Sequence, residues 1–181
     1  MAPAVIRSVY VLALVLAALF PAWAAAQPYQ KFLGEYEGSG LVDPDGTLQT
    51  RDLKVTISET ESGFRVSWVS VSRGSGGTIK RKAYTIDFQP SKRDGVYSAA
   101  MRTDLFGNRL PLDPMAGDPY VWARIDGETL FVYAMLINEQ GGYEMQVYKR
   151  TLTPTGLDLD YSRVSDGEVL RTISAELKRK R

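Results

Sequence analysis

The chain has 181 residues, with 22 Lys+Arg against 21 Asp+Glu and neither His nor Cys. The missing His excludes Ser-His-Asp and Cys-His catalysis and any imidazole metal site. The missing Cys excludes disulfides, thiolate nucleophiles and iron–sulfur ligation, so no catalytic set, cofactor or metal is predicted.

Residues 1–26 read as a secretory leader. Arg7 precedes an uncharged apolar run over 9–20, Pro21 ends the run, and small alanines follow at 22 and 24–26. The run is too short to span a bilayer comfortably, although an uncleaved anchor is the competing reading. Cleavage near Ala26 leaves 155 residues, 181 less the 26 of the leader, with Arg7 removed and the remaining charges balanced. The predicted mature protein is therefore periplasmic or secreted, without an integral membrane span. Its neutrality argues against a nucleic-acid partner, because binding to phosphate backbones rests on net positive charge. Residues 27–181 suit a single domain, which at this size buries roughly 70% of its unfolded surface.

After residue 27 the pattern is alternation with period two, broken by Gly, Asp, Asn and Pro. Ten strands are predicted in chain order: 34–41, 52–58, 64–72, 83–89, 96–102, 120–125, 128–137, 143–151, 157–164 and 168–177. Short connections make these antiparallel, and only closure removes both edges. The predicted fold is all-β, an antiparallel up-and-down barrel of about 8–10 strands. An Asp126-Gly127 turn pairs Trp122 with Phe131. A Ser165-Asp166-Gly167 turn pairs Tyr161 with Arg171, and a Pro154-Thr155-Gly156 turn pairs Thr151 with Leu159. Propagating these registers points Tyr120, Trp122, Arg124, Phe131, Tyr133, Tyr143, Met145 and Val147 inward. Leu130, Val132, Ala134 and Leu136 then point outward. Cover by the chain itself or a homodimer through Leu130, Val132 and Leu136 would account for that stripe. A membrane barrel would show the inverse pattern, apolar outside and polar within.

The segment Gly34-Glu35-Tyr36-Glu37-Gly38-Ser39-Gly40 resembles the first-strand signature of calycin-type barrels, the lipocalins and their nitrobindin-like relatives, with Tyr36 where those have Trp. The ten-strand plan is also similar. The resemblance implies that Tyr36 packs beneath a basic residue of a late strand and closes the barrel, and Arg171 is the expected partner. Nitrobindin-like proteins hold haem through a His, which this chain lacks.

The expected ligand cavity draws on Trp68, Tyr84, Tyr97, Trp122, Arg124 and Tyr133, which would enclose a small apolar or aromatic molecule in a void of roughly a few hundred Å3. The same rings can equally be solid core. The irregular stretch 104–119 carries Phe106, Leu110, Leu112 and Met115, which suit either a lid over the barrel mouth or a packed cap. Besides ligand binding, two other readings stand: a non-enzymatic envelope interaction module with a filled core, and an enzyme relying on carboxylates, Tyr, Lys or Arg.

Overall fold

The computed structural model describes residues 27–42, 49–73, 77–100, 102–103, 109–110 and 112–180; the predicted leader lies outside them. Ten strands close one antiparallel barrel. They are β1 (Gly34–Val42), β2 (Gln49–Thr60), β3 (Gly63–Arg73), β4 (Ile79–Pro90), β5 (Val96–Ala99), β8 (Tyr120–Asp126), β9 (Thr129–Ile137), β10 (Tyr143–Leu152), β11 (Gly156–Ser165) and β12 (Glu168–Arg179). Between β5 and β8, the two-residue strands β6 (Arg102–Thr103) and β7 (Arg109–Leu110) pair only with each other. Successive barrel strands are neighbours throughout, and β1 pairs with β12 to complete the ring. The predicted strands thus recur with ends moved by a few residues, except that 96–102 is cut to four. Among the described residues, no helix is long and apolar enough to cross a membrane.

Closure brings the first and last strands unusually close. A Cβ on Gly38 would lie 2.1 Å from the Glu176 carbonyl oxygen, so only glycine fits there. Gly156 meets the same strand from the other side, where a Cβ would lie 2.0 Å from the Leu177 carbonyl oxygen. Gly38 of the first-strand signature is therefore a packing requirement of the seam, and Gly40 is tightly packed against Ile173 and Ala175 of the same strand.

One end of the barrel is sealed by the chain's own start. The 3-10 turn Gln30–Phe32 lays Phe32 and Tyr29 across the opening, and both are buried. Beneath them, Phe64 stacks on Tyr29 and Phe88 at ring distances of 5.1 and 5.2 Å and meets Tyr97 edge-on at 5.0 Å. The Tyr36 hydroxyl donates to the Phe32 carbonyl at 2.7 Å. Arg179 in turn donates to the Tyr36 oxygen at 2.6 Å and to the Lys31 carbonyl at 3.1 Å, its guanidinium lying 5.1 Å from the Tyr36 ring centre. The aromatic-under-cation closure thus exists, but the cation is Arg179 and not Arg171. Tyr36 stands opposite Arg179 in the β1–β12 ladder, whereas Arg171 lies near the far end of β12 opposite Arg163.

The predicted faces of β8, β9 and β10 are inverted. Thr153 and Gly156 exchange backbone hydrogen bonds around Pro154-Thr155, so the loop spans two residues and not three. Leu159 consequently faces Arg150, and Thr151 faces Asp158. A one-residue slip moves every side chain to the other face, and successive ladders carry it through β10, β9 and β8. Val121, Ala123, Ile125, Leu130 and Val132 are core, whereas Tyr120 and Arg124 are exposed. The β8–β9 turn is Gly127-Glu128, with positive φ only at Gly127. Gly at the first central position fits a type II′ turn, and Trp122 pairs with Tyr133. The β11–β12 turn is Asp166-Gly167, both with positive φ, and a bulge after Arg163 restores the inner face.

Phe32 is fully buried across the sealed end. Phe32→Ala is expected to lower stability by about 3–5 kcal/mol in urea unfolding. A loss under about 1 kcal/mol would show that the plug is not part of the core.

Candidate functional site

The other half of the barrel is not filled. A cavity of about 120 Å3, or about 780 Å3 with its open mouth counted, lies among the upper parts of β2, β3, β4, β10, β11 and β12. Short β5 pairs with β4 only over Phe88–Pro90, so among the described residues the upper half of β4 has a ladder partner on one side alone. Tyr84 is 48% exposed there, although its position in the alternation is inward.

Alternation decides what reaches the cavity. On β10, the even positions Glu144, Gln146, Tyr148 and Arg150 face inward and form a connected row. Gln146 donates to Glu144 at 2.7 Å, and Tyr148 donates to Gln146 at 3.1 Å. Arg163 on β11 donates to the other Glu144 oxygen. Four aromatic rings form a continuous wall. Tyr84 stacks on Trp68 at 5.1 Å, Trp68 meets Tyr148 at 5.1 Å, and Tyr148 meets Tyr161 at 4.7 Å.

Six cations line this small space; Lys54 is paired with Glu35 and Glu37, which leaves Arg51, Lys82, Arg150, Arg163 and Arg171. Of these, Arg163 is engaged by the Glu144 carboxylate. Burial would raise the Glu144 carboxyl, but the Arg163 and Gln146 hydrogen bonds and the Arg163 charge hold it below its usual range. Arg51 is pushed down, first by burial and then by repulsion from Arg171.

Arg150 is the deepest of the five. It is fully buried, and its Nε and Nη1 have no hydrogen-bond partner. Its guanidinium carbon sits 5.3 Å from the Tyr148 ring centre and 5.6 Å from that of Trp68. Burial pulls it down to about 10, still charged at neutral pH. Desolvating such a charge costs several kcal/mol, and a desolvated cation–π contact returns about 2 kcal/mol. Arg51 and Arg163 each also carry a buried Nε without a partner.

The predicted cavity residues divide. Trp68 and Tyr84 line the cavity. Tyr97 belongs to the sealed end, against Phe64 and Tyr29. Trp122 and Tyr133 stack at 4.9 Å on the outer wall, with Arg124 over Phe131 at 4.9 Å, all three displaced by the inversion of β8 and β9. Of the predicted lid, Phe106 lies outside the described residues and no side chain is described at Leu110. Leu112 is half-buried and Met115 is 78% exposed; neither lines the cavity. Leu130 and Val132 are buried in the core, and Leu136 stands opposite inward Glu144, so the stripe expected to face a second copy points into the barrel.

Sequence reasoning missed Arg51, Lys82, Tyr148, Arg150 and Arg163. The signal was present as Arg51-Leu53-Val55-Ile57 and Leu157-Leu159-Tyr161-Arg163, apolar alternations that end in a cation toward the open end. No known family model matches the chain, and no curated protein matches it. The fold and site define a closed ten-stranded antiparallel barrel, sealed at one end, with a cationic and aromatic interior at the other.

Burial pushes the Tyr148 phenol well above its usual 10, and Tyr161 is raised for the same first reason. Their neutral forms contribute stability that is complete below pH 10 and is lost as pH rises toward the folded values. Arg150, lowered by burial, acts in the opposite sense over the same range. Tyr148→Phe is therefore expected to lose stability less steeply than the parent above pH 10, with a difference of up to about 1.4 kcal/mol per pH unit. Identical alkaline slopes in urea unfolding would show that Tyr148 ionises freely in the folded state.

Proposed function

We propose that this protein is an exported, calycin-type barrel that takes a small, flat organic molecule into the open end of its interior. The observation that carries this reading is the aromatic wall Tyr84–Trp68–Tyr148–Tyr161 around a cavity of about 120 Å3, opposite an end plugged by Phe32. A dry cavity near 150 Å3 accepts a single six-membered ring. The volume is smaller than the several hundred Å3 predicted, because arginine and tyrosine side chains on the inner face occupy the space. The ligand is therefore small, or it places one ring inside and leaves the rest at the mouth. Export is supported by the leader pattern of residues 1–26, and the calycin kinship by Gly34-Glu35-Tyr36 with its Arg179 cap.

Native mass spectrometry of the protein purified from its own cells is expected to show a retained small molecule. Trp68→Leu is expected to weaken single-ring binding by about three- to tenfold, the worth of one aromatic contact. A bare chain whose Trp68 fluorescence responds to no single-ring compound would remove the reading.

A second reading, an envelope interaction module, draws on one observation. Trp122, Tyr133 and Phe131 stack in a row on the outer face of β8 and β9. A second copy of the chain would meet this face in place of the Leu130 stripe. Sedimentation that shows a dimer lost in Trp122→Ala supports it, and a monomer at all concentrations removes it.

A further inference from the structure

The proposed cavity has a polarity that a site for purely apolar molecules would not need. Its deepest group is the guanidinium of Arg150, one of the residues around the cavity, fully buried and with Nε and Nη1 unpartnered. Arg51, Arg163 and Arg171 converge on the same volume from β2, β11 and β12. The Nε atoms of Arg51 and Arg163 are also buried without partners. Glu144 already binds Arg163 and Gln146, and it neutralises one charge of the set. The surroundings of the cavity therefore hold an uncompensated positive charge together with N–H donors that have no partner. Water can solvate such donors but cannot neutralise them. An oxyanion can do both, and a guanidinium fork matches its geometry.

We infer that the interior of this barrel is a site for a small organic oxyanion, with its carboxylate, sulfonate or phosphate group toward Arg150 and its flat body against the aromatic wall that Trp68 and Tyr148 share. The inference deepens the proposed function and rests on it: the aromatic wall supplies the area and the arginines supply the sign of the charge. The order of the elements supports the arrangement. Arg150 lies opposite Leu159, at the boundary between the packed core and the cavity, so the anionic group enters first and reaches the floor. Arg51 and Arg171 stand nearer the mouth, at the ladder ends beyond Leu53 and Ile173, where they draw anions in.

Benzoate and benzamide share a ring and nearly a shape, and they differ in charge. Titrations followed by calorimetry are expected to show benzoate binding at least about tenfold more tightly, the worth of one charge-assisted hydrogen bond. Arg150→Met is expected to abolish that preference while benzamide still binds. Arg171→Gln, at a half-exposed position that a folded chain tolerates, is expected to reduce benzoate affinity severalfold and leave benzamide unchanged. Inorganic phosphate serves as the third ligand. Phosphate binding as tight as benzoate's supports the anion site and overturns the aromatic reading. Equal affinity for benzoate and benzamide overturns the anion inference and leaves the aromatic reading standing. A folded protein that binds none of the three overturns both.

Discussion

The position of Arg150 depends on one register, the pairing of β10 with β11 across the turn from Thr153 to Gly156. That turn sets Leu159 against Arg150, and because side chains alternate strictly along a strand, it sets the inner face of β10 for its whole length. Tyr148, Gln146 and Glu144 follow inward. The ladders to β9 and β8 then send Leu130, Val132, Ala123 and Ile125 into the core and leave Trp122 and Tyr133 outside. This register decides both what fills the lower barrel and what lines the cavity.

The two ends of the barrel divide the work. At the sealed end the residues are large, apolar and stacked, and the Thr60 hydroxyl is the one buried side-chain polar atom there left without a partner among the described residues. The Tyr36 hydroxyl donates to Phe32 and accepts from Arg179, which ties the start and finish of the chain together. Stability comes chiefly from this half. At the other end, among the described residues, the upper half of β4 has a ladder partner on one side alone, and buried guanidinium atoms stay unpartnered. Such groups cost stability while nothing satisfies them. A protein without cross-links keeps that arrangement only where the packed end stabilises the whole, and this is the usual relation between a functional site and its scaffold.

Much of the fold was legible in the chain. Period-two alternation located all ten barrel strands, and the glycine-rich first strand marked the closing seam where a side chain at Gly38 would strike the Glu176 carbonyl. The aromatic at Tyr36 under a late basic residue was legible as a type of contact but not as a partner. Choosing Arg171 over Arg179 means choosing a position along β12, and that depends on stagger between strands distant in sequence. The cavity was harder to read for a definite reason. Strands β8 and β9 are apolar on both faces, so their composition does not say which face is inside, and the turn at 153–156 had to decide it alone. Counting three loop residues where the backbone uses two exchanged the core for the surface on three strands. Trp68, Tyr84 and Tyr161 lie on strands outside that error, and their inward assignment survived it.

The central claim is that the open end of the barrel carries a positive potential strong enough to select anions. Because the chain has no cysteine, single-cysteine variants test this directly. Ser70, on the cavity wall, can be replaced by cysteine and its modification by an anionic and a cationic methanethiosulfonate compared, each rate normalised to Thr172→Cys on the exposed outer face of β12. The account predicts that the anionic reagent is favoured inside by about tenfold after normalisation. A normalised ratio at or below one would contradict it.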